Sequence, residues 1–167
     1  ARATARLRSR HVAKVHDVGR LPSGAPYLVM EHLSGTDLKQ LLDQRGTLPP
    51  PEGVTYVLQA CEALSEAHAA GIVHRDLKPA NLFLTKELNG APCIKLLDFG
   101  IAKMPAGAAS AGMDMTATSA LLGTPLYMSP EQMRGARDVD ARADIWALGV
   151  ILYRMFAGRT PFSGSSI

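Results

Sequence analysis

The stretch HRDLKPAN occupies residues 74–81 and combines an acid, two bases, a proline and an amide on one short segment. It follows the apolar pair Ile72-Val73 and precedes Leu82-Phe83-Leu84, and both flanks have the composition of short buried strands. The polar cluster is therefore predicted to form a loop between two packed elements. Loops held by a rigid scaffold are where many proteins carry their binding and catalytic side chains.

The length and composition of the chain are those of one globular domain. Its 167 residues have an apolar content of 47%, which is enough for a packed core. The formal charge of +3 is mildly basic, and the basic residues are spread out except for the arginines between residues 2 and 10. We interpret these arginines as the solvated end of a helix, and we expect no nucleic-acid partner.

Cysteine and hydropathy patterns predict a soluble chain in a reducing compartment. Cys61 and Cys93 share no CxxC spacing and lie in apolar patterns, which favours buried free thiols over a disulfide or a metal pair. No apolar run reaches the roughly 18 residues that a membrane span needs, and none follows the first arginines as in a signal peptide. We expect a cytoplasmic chain, and the pattern leaves open a membrane tether elsewhere in the parent protein.

Apolar spacing and turn residues predict a small sheet followed by a mainly helical region. The predicted elements are a helix end over 2–10, a strand over 11–18, a hairpin turn over 21–24, a buried strand over 27–30, a helix over 37–44 and a long helix ending at 71. Short strands at 72–73, 82–84 and 94–97, a loop over 104–120, a helix beginning at 129–131 and a buried helix over 139–157 follow. The apolar stripe of the long helix is predicted at positions 54, 57, 58, 61, 64 and 67.

The polar residues in and near the loop over 74–81 are of the kinds that phosphoryl transfer from a nucleotide requires. That reaction requires a carboxylate near the attacking hydroxyl, oxygen ligands for metal ions, a cation at the γ-phosphate and a nucleotide pocket. Asp76, Lys78 and Asn81 supply groups for three of these functions from one loop. A second acidic ligand is available in Asp98, which directly follows the predicted strand over 94–97.

Ordered motifs along the chain resemble those of the eukaryotic-like serine/threonine protein kinases, and in particular their bacterial branch. The motifs are HRDLKPAN at 74–81, DFG at 98–100, GTPLYMSPE at 123–131 and DIWALGVILYRMFAGRTPF at 144–162. Ser129 stands where the family more often has alanine. The order and approximate spacing are those of the family, and this ordered set is far more specific than DFG alone.

The resemblance implies an α+β fold of the two-lobed protein-kinase type, truncated at both ends. Residues 1–33 would be a remnant of the small lobe, with the end of its helix, two strands and the hinge. Residues 34–167 would form the helical large lobe, incomplete at its C-terminal end. The family's Gly-rich loop, strand lysine and helix glutamate have no counterpart here, so we expect this chain alone to be catalytically feeble and marginally stable.

The resemblance also implies catalytic roles for residues of this chain. Asp76 would orient the substrate Ser or Thr hydroxyl and accept its proton, and Lys78 would stabilise the transferring phosphate. Asn81 and Asp98 would bind Mg²⁺, or Mn²⁺ in its place, through the oxygen ligands that hard cations prefer. The implied activity is transfer of the ATP γ-phosphate to Ser or Thr hydroxyls of protein substrates in bacterial signalling.

A nucleotide pocket is implied on the side of the hinge. Backbone groups of Glu31 and Leu33 would hydrogen-bond adenine, and Phe83 would form the floor under the base. Asp37 falls where the family often has an acid for the ribose hydroxyls, but a carboxylate at the start of a helix explains the same residue.

Two sets of residues are implied to support the active site. Val15, His74 and Phe99 resemble parts of an apolar stack that links the two lobes. Asp144 resembles the acid of a central helix that holds the backbone of the loop over 74–81 around Arg75. A surface carboxylate is the alternative for Asp144, and the apolar residues around it argue against that alternative.

Regulation by phosphorylation is implied by the residue before Asp76. Arg75 at this position marks family members whose activation loop is ordered by an arginine–phosphate pair. Thr116 and Thr118 match the paired autophosphorylation sites of bacterial members, with a second kinase copy as the partner. Thr124, in the segment that faces the substrate, together with Lys78 favours Ser or Thr over Tyr as the acceptor.

The competing interpretation is a pseudokinase, a scaffold that keeps the fold and acts through binding alone. Every catalytic residue that the resemblance assigns to this stretch of chain is present, which favours an enzyme. The Gly-rich loop and the strand lysine of the parent protein would decide between the two.

Overall fold

The computed structural model describes residues 7–99, 125–135 and 139–163. The strands are β1 (Val15–Arg20), β2 (Pro26–Met30), β3 (Thr36–Asp37), β4 (Leu82–Lys86) and β5 (Pro92–Leu96). The helices are α1 (Leu38–Arg45), α2 (Pro50–Ala69), α3 (Pro130–Met133) and α4 (Arg142–Ala157), and 3-10 turns span Pro79–Asn81 and Pro125–Tyr127. The predicted α+β class is confirmed.

Strands β1 and β2 form an antiparallel hairpin. The predicted turn is confirmed, because the Leu21 N–H donates to the Ala25 carbonyl at 2.8 Å. The predicted burial of β2 is wrong in part, since Tyr27 and Val29 are 39% and 45% exposed. Successive side chains of a strand point to opposite faces, and the described residues cover only the face that carries Leu28 and Met30.

Strands β3, β4 and β5 form a second antiparallel sheet next to the loop over 74–81. Leu82 and Ile94 are fully buried in it, and the preceding chain joins its edge where Val12 bridges Leu96. The predicted strand at 72–73 is wrong, because this segment pairs with no strand among the described residues. The backbone N–H groups that follow it bind the side chain of Asp144 instead.

Helix α1 begins and ends at residues that the sequence marks. The Asp37 carboxylate accepts the Gln40 N–H at 2.9 Å, which satisfies one of the free donors of the first turn. Gly46 follows the last turn with φ of +73°, a backbone conformation that favours glycine.

Helix α2 packs against α4, and its predicted apolar stripe is confirmed in part. Leu64 and Ala67 are buried as predicted, and Val57 and Cys61 pack half-buried against the core. Val54 and Leu58 are 42% and 63% exposed. The buried positions are Gly53, Tyr56, Ala60, Ala63, Leu64 and Ala67. A Cβ atom on Gly53 would lie 2.8 Å from the Phe156 ring, so small residues on this face allow α2 and α4 to approach closely. A search for large apolar residues misses a face built in this way.

Helix α4 contributes several residues to the hydrophobic core. It begins at Arg142 rather than at the predicted residue 139, and Ile151 and Met155 are fully buried. The predicted burial of this helix is confirmed for one face, but the helix is not buried all round, since Ile145 is 55% exposed. Gly158, with φ of +70°, ends the helix as the sequence predicts.

The N-terminal segment and the cysteines are docked on this core. The predicted helix end over 2–10 is wrong for residues 7–9, which are irregular, and residues 1–6 lie outside the described residues. Cys93 is buried and Cys61 half-buried, both are free thiols as predicted, and burial raises the pKa of each. None of the described helices is long and apolar enough to cross a membrane.

Candidate active site

Asp144 fixes the loop over 74–81 to helix α4. This carboxylate is 1% exposed. Its Oδ2 accepts the His74 N–H at 2.9 Å and the His68 Nε2–H at 2.7 Å, and its Oδ1 accepts the Arg75 N–H at 2.9 Å. Three donors compensate for the removal of this charge from water. Asp144 is therefore not a surface carboxylate, and the part of the loop that precedes Asp76 is fixed to α4.

His74 is buried beneath the loop as a neutral imidazole. Its Nε2 lies 2.8 Å from the Leu97 carbonyl, which can only accept, so this nitrogen carries the proton. Burial lowers the pKa of His74 below its ordinary value, which agrees with the neutral form. The imidazole also packs on Phe99 with ring centroids 4.9 Å apart. The predicted stack is present for this pair, and Val15 lies half-buried at the start of β1.

The predicted catalytic residues of the loop lie next to one another. The Lys78 Nζ donates to Asp76 Oδ2 at 2.8 Å, and the Asn81 amide donates to the backbone carbonyl of Asp76 at 2.7 Å. The side chains of Asp76 and Lys78 are 26% and 28% exposed, so both are open to a bound molecule. Asp76 Oδ1 accepts no hydrogen bond from the residues that the structure describes, which leaves it free for a hydroxyl group.

A backbone hydrogen bond joins Asn81 to Leu97, the residue before Asp98. The Leu97 N–H donates to the Asn81 carbonyl at 2.9 Å, which places Asp98 beside the loop. Asp98 is exposed and has a φ of +50°, a conformation that Asp tolerates better than most residues.

These two side chains fit a divalent cation that prefers oxygen. The Asn81 nitrogen is committed to the Asp76 carbonyl, so its amide oxygen is the atom left for a ligand. Within 7–99, 125–135 and 139–163, no cluster of three or more His, Cys, Asp or Glu could hold a metal ion by itself. Mg²⁺ is commonly held by one or two protein oxygens together with substrate phosphates, which matches this arrangement.

Of the residues predicted to bind the nucleotide, Glu31 and Leu33 lie in the segment that connects the two sheets. Partial burial acts to raise the pKa of Glu31, but the hydrogen bonds from Lys95 Nζ and from the Lys14 N–H, both at 2.8 Å, hold it below its usual value. The Glu31 side chain is thus committed to structure. In the described part of the chain, the Glu31 carbonyl and the backbone of Leu33 make no hydrogen bond, so both are free for a ligand.

Asp37 and Phe83 face each other as partners in the β3–β4 ladder. The Asp37 carboxylate caps helix α1, which confirms the helix-start interpretation and still leaves its second oxygen without a partner among the described residues. Phe83 is half-buried, as a residue on the floor of a pocket would be. This pairing places both near the segment that connects β2 to β3, where the nucleotide is predicted to bind.

Of the residues predicted to act in regulation, Arg75 lies in the described part of the chain. Arg75 has a φ of +65°, which is unusual for a residue other than glycine, and its guanidinium donates to the Val139 carbonyl at 3.2 Å. Thr116, Thr118 and Thr124 lie outside the described residues.

Two contacts of the loop were missed by sequence reasoning. His68, on the last turn of α2, donates to Asp144, and its only signal is that it lies on the helix that leads into the loop. Gln132, on α3, donates to the Arg75 carbonyl at 2.7 Å. Its signal was its place three residues after Ser129, the spacing of a capping box.

The whole chain matches a known family. Residues 1–167 match the family described as the protein kinase domain. The chain belongs to the protein kinase family. The resemblance found in the motifs is therefore confirmed, and so is the kinase-type fold.

Relatives of this kinase chain are found among curated proteins and solved structures. It is 45% identical to serine/threonine-protein kinase Pkn1 of Myxococcus xanthus and 38% identical to serine/threonine-protein kinase PknB of Mycobacterium tuberculosis. Those matches cover 100% and 99% of the chain but 23% and 26% of the relatives, so the chain spans about a quarter of their length. The crystal structure of the Mycobacterium tuberculosis PknI kinase domain superposes with a TM-score of 0.74 at 34% identity, over 99% of this chain and 58% of that one.

Proposed function

We propose that the protein containing this chain is a serine/threonine protein kinase that transfers the γ-phosphate of ATP to Ser or Thr hydroxyls of proteins. The observation that carries the proposal is the arrangement at Asp76. Its carboxylate has one oxygen on the Lys78 ammonium and the other without a partner among the described residues, and its backbone is bound by Asn81. The bacterial relatives are named as kinases of this class.

Each side chain has a distinct part in this reaction. The free oxygen of Asp76 accepts a hydrogen bond from the substrate hydroxyl, orients it and takes its proton as the phosphoryl group is transferred. Lys78 is held within reach of the same carboxylate and is available to stabilise negative charge on the transferring group. The buried anchor at Asp144 keeps this geometry without rearrangement during the reaction.

Asn81 and Asp98 are proposed to hold Mg²⁺, or Mn²⁺ in its place. The metal supplies neutralisation of the phosphate charge when it is bound. The backbone of Glu31 and Leu33, with Asp37 and Phe83, is proposed to bind the nucleotide. The free backbone groups of the hinge segment support this assignment.

The test of the proposed activity compares Asp76→Asn and Asp98→Ala with the unchanged full-length protein. Both variants should lower kcat for a Ser/Thr peptide by about 10²–10⁴-fold while the thermal midpoint is preserved, because the residues act on the reaction and not on packing. Asp140→Asn is the matched control, since Asp140 is an exposed carboxylate paired with Arg142 before α4. Unchanged turnover in Asp76→Asn would refute the proposal. ATP binding without turnover in the unchanged protein would favour a scaffold.

We further propose that Thr116 and Thr118 are phosphorylated by a second copy of the kinase and that Arg75 binds the resulting phosphate. The position of Arg75 directly before Asp76 supports this regulation, as does the similarity to bacterial kinases. Mixing active protein with a tagged Asp76→Asn copy should place phosphate on both threonines of the inactive copy. Phosphopeptide mapping that finds both unmodified would overturn the idea. Cytoplasmic location and a membrane tether of the parent protein stay predictions.

A further inference from the structure

Gln132 joins two parts of the molecule that are 57 residues apart in sequence. Its Oε1 accepts the Ser129 N–H at 3.1 Å and the Ser129 hydroxyl at 3.3 Å, and its Nε2 donates to the Arg75 carbonyl at 2.7 Å. The orientation of the amide is fixed by its partners, because an N–H can only donate and a carbonyl can only accept. Gln132 therefore connects the start of α3 to the loop of Asp76.

The carbonyl that Gln132 binds belongs to the peptide between Arg75 and Asp76. The N–H of Arg75 is held by Asp144 at 2.9 Å, so this residue is bound at both ends of its backbone. Such restraint is needed because Arg75 has a φ of +65°, which costs free energy for a residue with a Cβ. The orientation of this peptide sets the direction in which the Asp76 side chain leaves the backbone.

We propose that Gln132 is a positioning residue for Asp76: by holding the Arg75 carbonyl it fixes the Arg75–Asp76 peptide, and through it the carboxylate that receives the substrate hydroxyl. This inference rests on the proposed kinase activity and adds to it a residue that acts through the backbone. It also makes the placement of the loop depend on α3, the helix that ends the segment expected to face the substrate.

A role limited to capping α3 is the alternative, and one substitution separates the two. Gln132→Glu keeps an oxygen for the Ser129 N–H, since Glu is as suitable as Gln at this position of a capping box. It replaces the donor to Arg75 by an acceptor, so two oxygens with partial or full negative charge would face each other. If Gln132 only caps α3, this variant is neutral or stabilising.

The experiment uses full-length protein and measures kcat, KM for peptide and the thermal midpoint of Gln132→Glu. We expect kcat to fall about tenfold with the thermal midpoint nearly unchanged, because a partly buried carbonyl loses its donor while the helix cap is kept. Ser129→Ala is the matched control, since it removes the hydroxyl bond at 3.3 Å and the Ser129 half of the capping box but leaves the Ser129 N–H bond and the Arg75 contact of Gln132 in place. It should keep nearly the full kcat.

A pH profile gives a readout that a purely structural role would not move. The ratio of kcat for Gln132→Glu to that of the unchanged protein should rise as pH falls below about 6 toward the ordinary pKa of a glutamate, since a protonated carboxyl can again donate to the Arg75 carbonyl.

A measurement independent of activity completes the test. Hydrogen exchange at the amide of Asp76 should be about tenfold faster in Gln132→Glu than in Ser129→Ala. Equal kcat and equal exchange in the two variants, with Asp76→Asn inactive, would refute the positioning role and leave the phosphotransfer proposal standing. If the unchanged protein shows no phosphotransfer, that proposal fails, and slower or equal exchange in Gln132→Glu then also removes the link described here.

Discussion

Replacement of Asp144 by Asn tests whether one buried carboxylate holds the active-site loop. Asp144 accepts hydrogen bonds from His68, His74 and Arg75 at 2.7, 2.9 and 2.9 Å. Asn has the same shape but only one oxygen. With that oxygen at the Oδ2 position, the N–H of Arg75 faces an amide NH₂ group, and with the opposite orientation the N–H of His74 does. Either way, a buried or partly buried donor loses its acceptor.

The expected magnitude follows from these contacts. A buried N–H without a partner costs about 1–3 kcal/mol, and about 1 kcal/mol more is lost because the remaining bonds are no longer charge-assisted. A total of about 2–4 kcal/mol makes the open form of the loop about 30- to 900-fold more populated, and the amides of the loop should exchange faster by the same factor. Hydrogen exchange at the amides of His74 and Arg75 in full-length protein measures this factor directly.

A matched substitution separates the local effect from a general one. Asp140→Asn makes the same chemical change just before α4, but Asp140 is 53% exposed and its partner Arg142 is 88% exposed. Water and mobile side chains replace such a pair, so exchange in the loop should not change. Exchange at the loop amides that rises less than threefold in Asp144→Asn would show that Asp144 does not anchor the loop.

Other predictions address the buried imidazole, the loop cation and the hinge. The pKa of His74 is lowered in the folded protein, so as pH falls the unfolded chain takes up a proton on this side chain before the folded chain does. The free energy of unfolding should therefore decrease as pH falls below 6.5, the ordinary pKa of histidine. His74→Phe keeps a ring against Phe99 and should reduce that slope in denaturation curves recorded across this range. Lys78→Met should lower kcat by about 10²–10³-fold with little change in the KM for ATP, and an unchanged kcat would exclude a role in charge stabilisation. Gly35→Ala places a Cβ against the Leu84 carbonyl oxygen at a φ of +153°, whereas Gly24→Ala meets no atom within 4 Å, so the first should lower the thermal midpoint more and an equal loss would contradict the packing argument.

Much of the site follows from residues that are close together in the sequence. The spacing of Asp76, Lys78 and Asn81 places them on one short loop, and the structure brings them into direct contact. The capping residue Asp37 and the turn over 21–24 are likewise local features, because one or two neighbouring residues decide the backbone conformation there. Such features can be predicted without knowing the rest of the fold.

Burial was predicted less well, for a physical reason. The sequence marks large apolar residues, whereas the face of α2 that packs on α4 is selected by close approach and includes Gly53, Ala60 and Ala63. Val54 and Leu58 have the right spacing for a helix face but lie on its exposed side. Which face is buried depends on the shape of the partner, and that shape is not encoded locally.

The sequence by itself determined the family of this protein, the order of its motifs and the residues offered for chemistry. Only the tertiary structure decided which distant groups hold them: Asp144 binds backbone groups 69 and 70 residues away, and Gln132 binds a carbonyl 57 residues away. A motif records which side chains are present, but a hydrogen bond needs a donor and an acceptor within about 3 Å in a fixed direction. That condition is met only when α3, α4 and the loop of Asp76 have packed together.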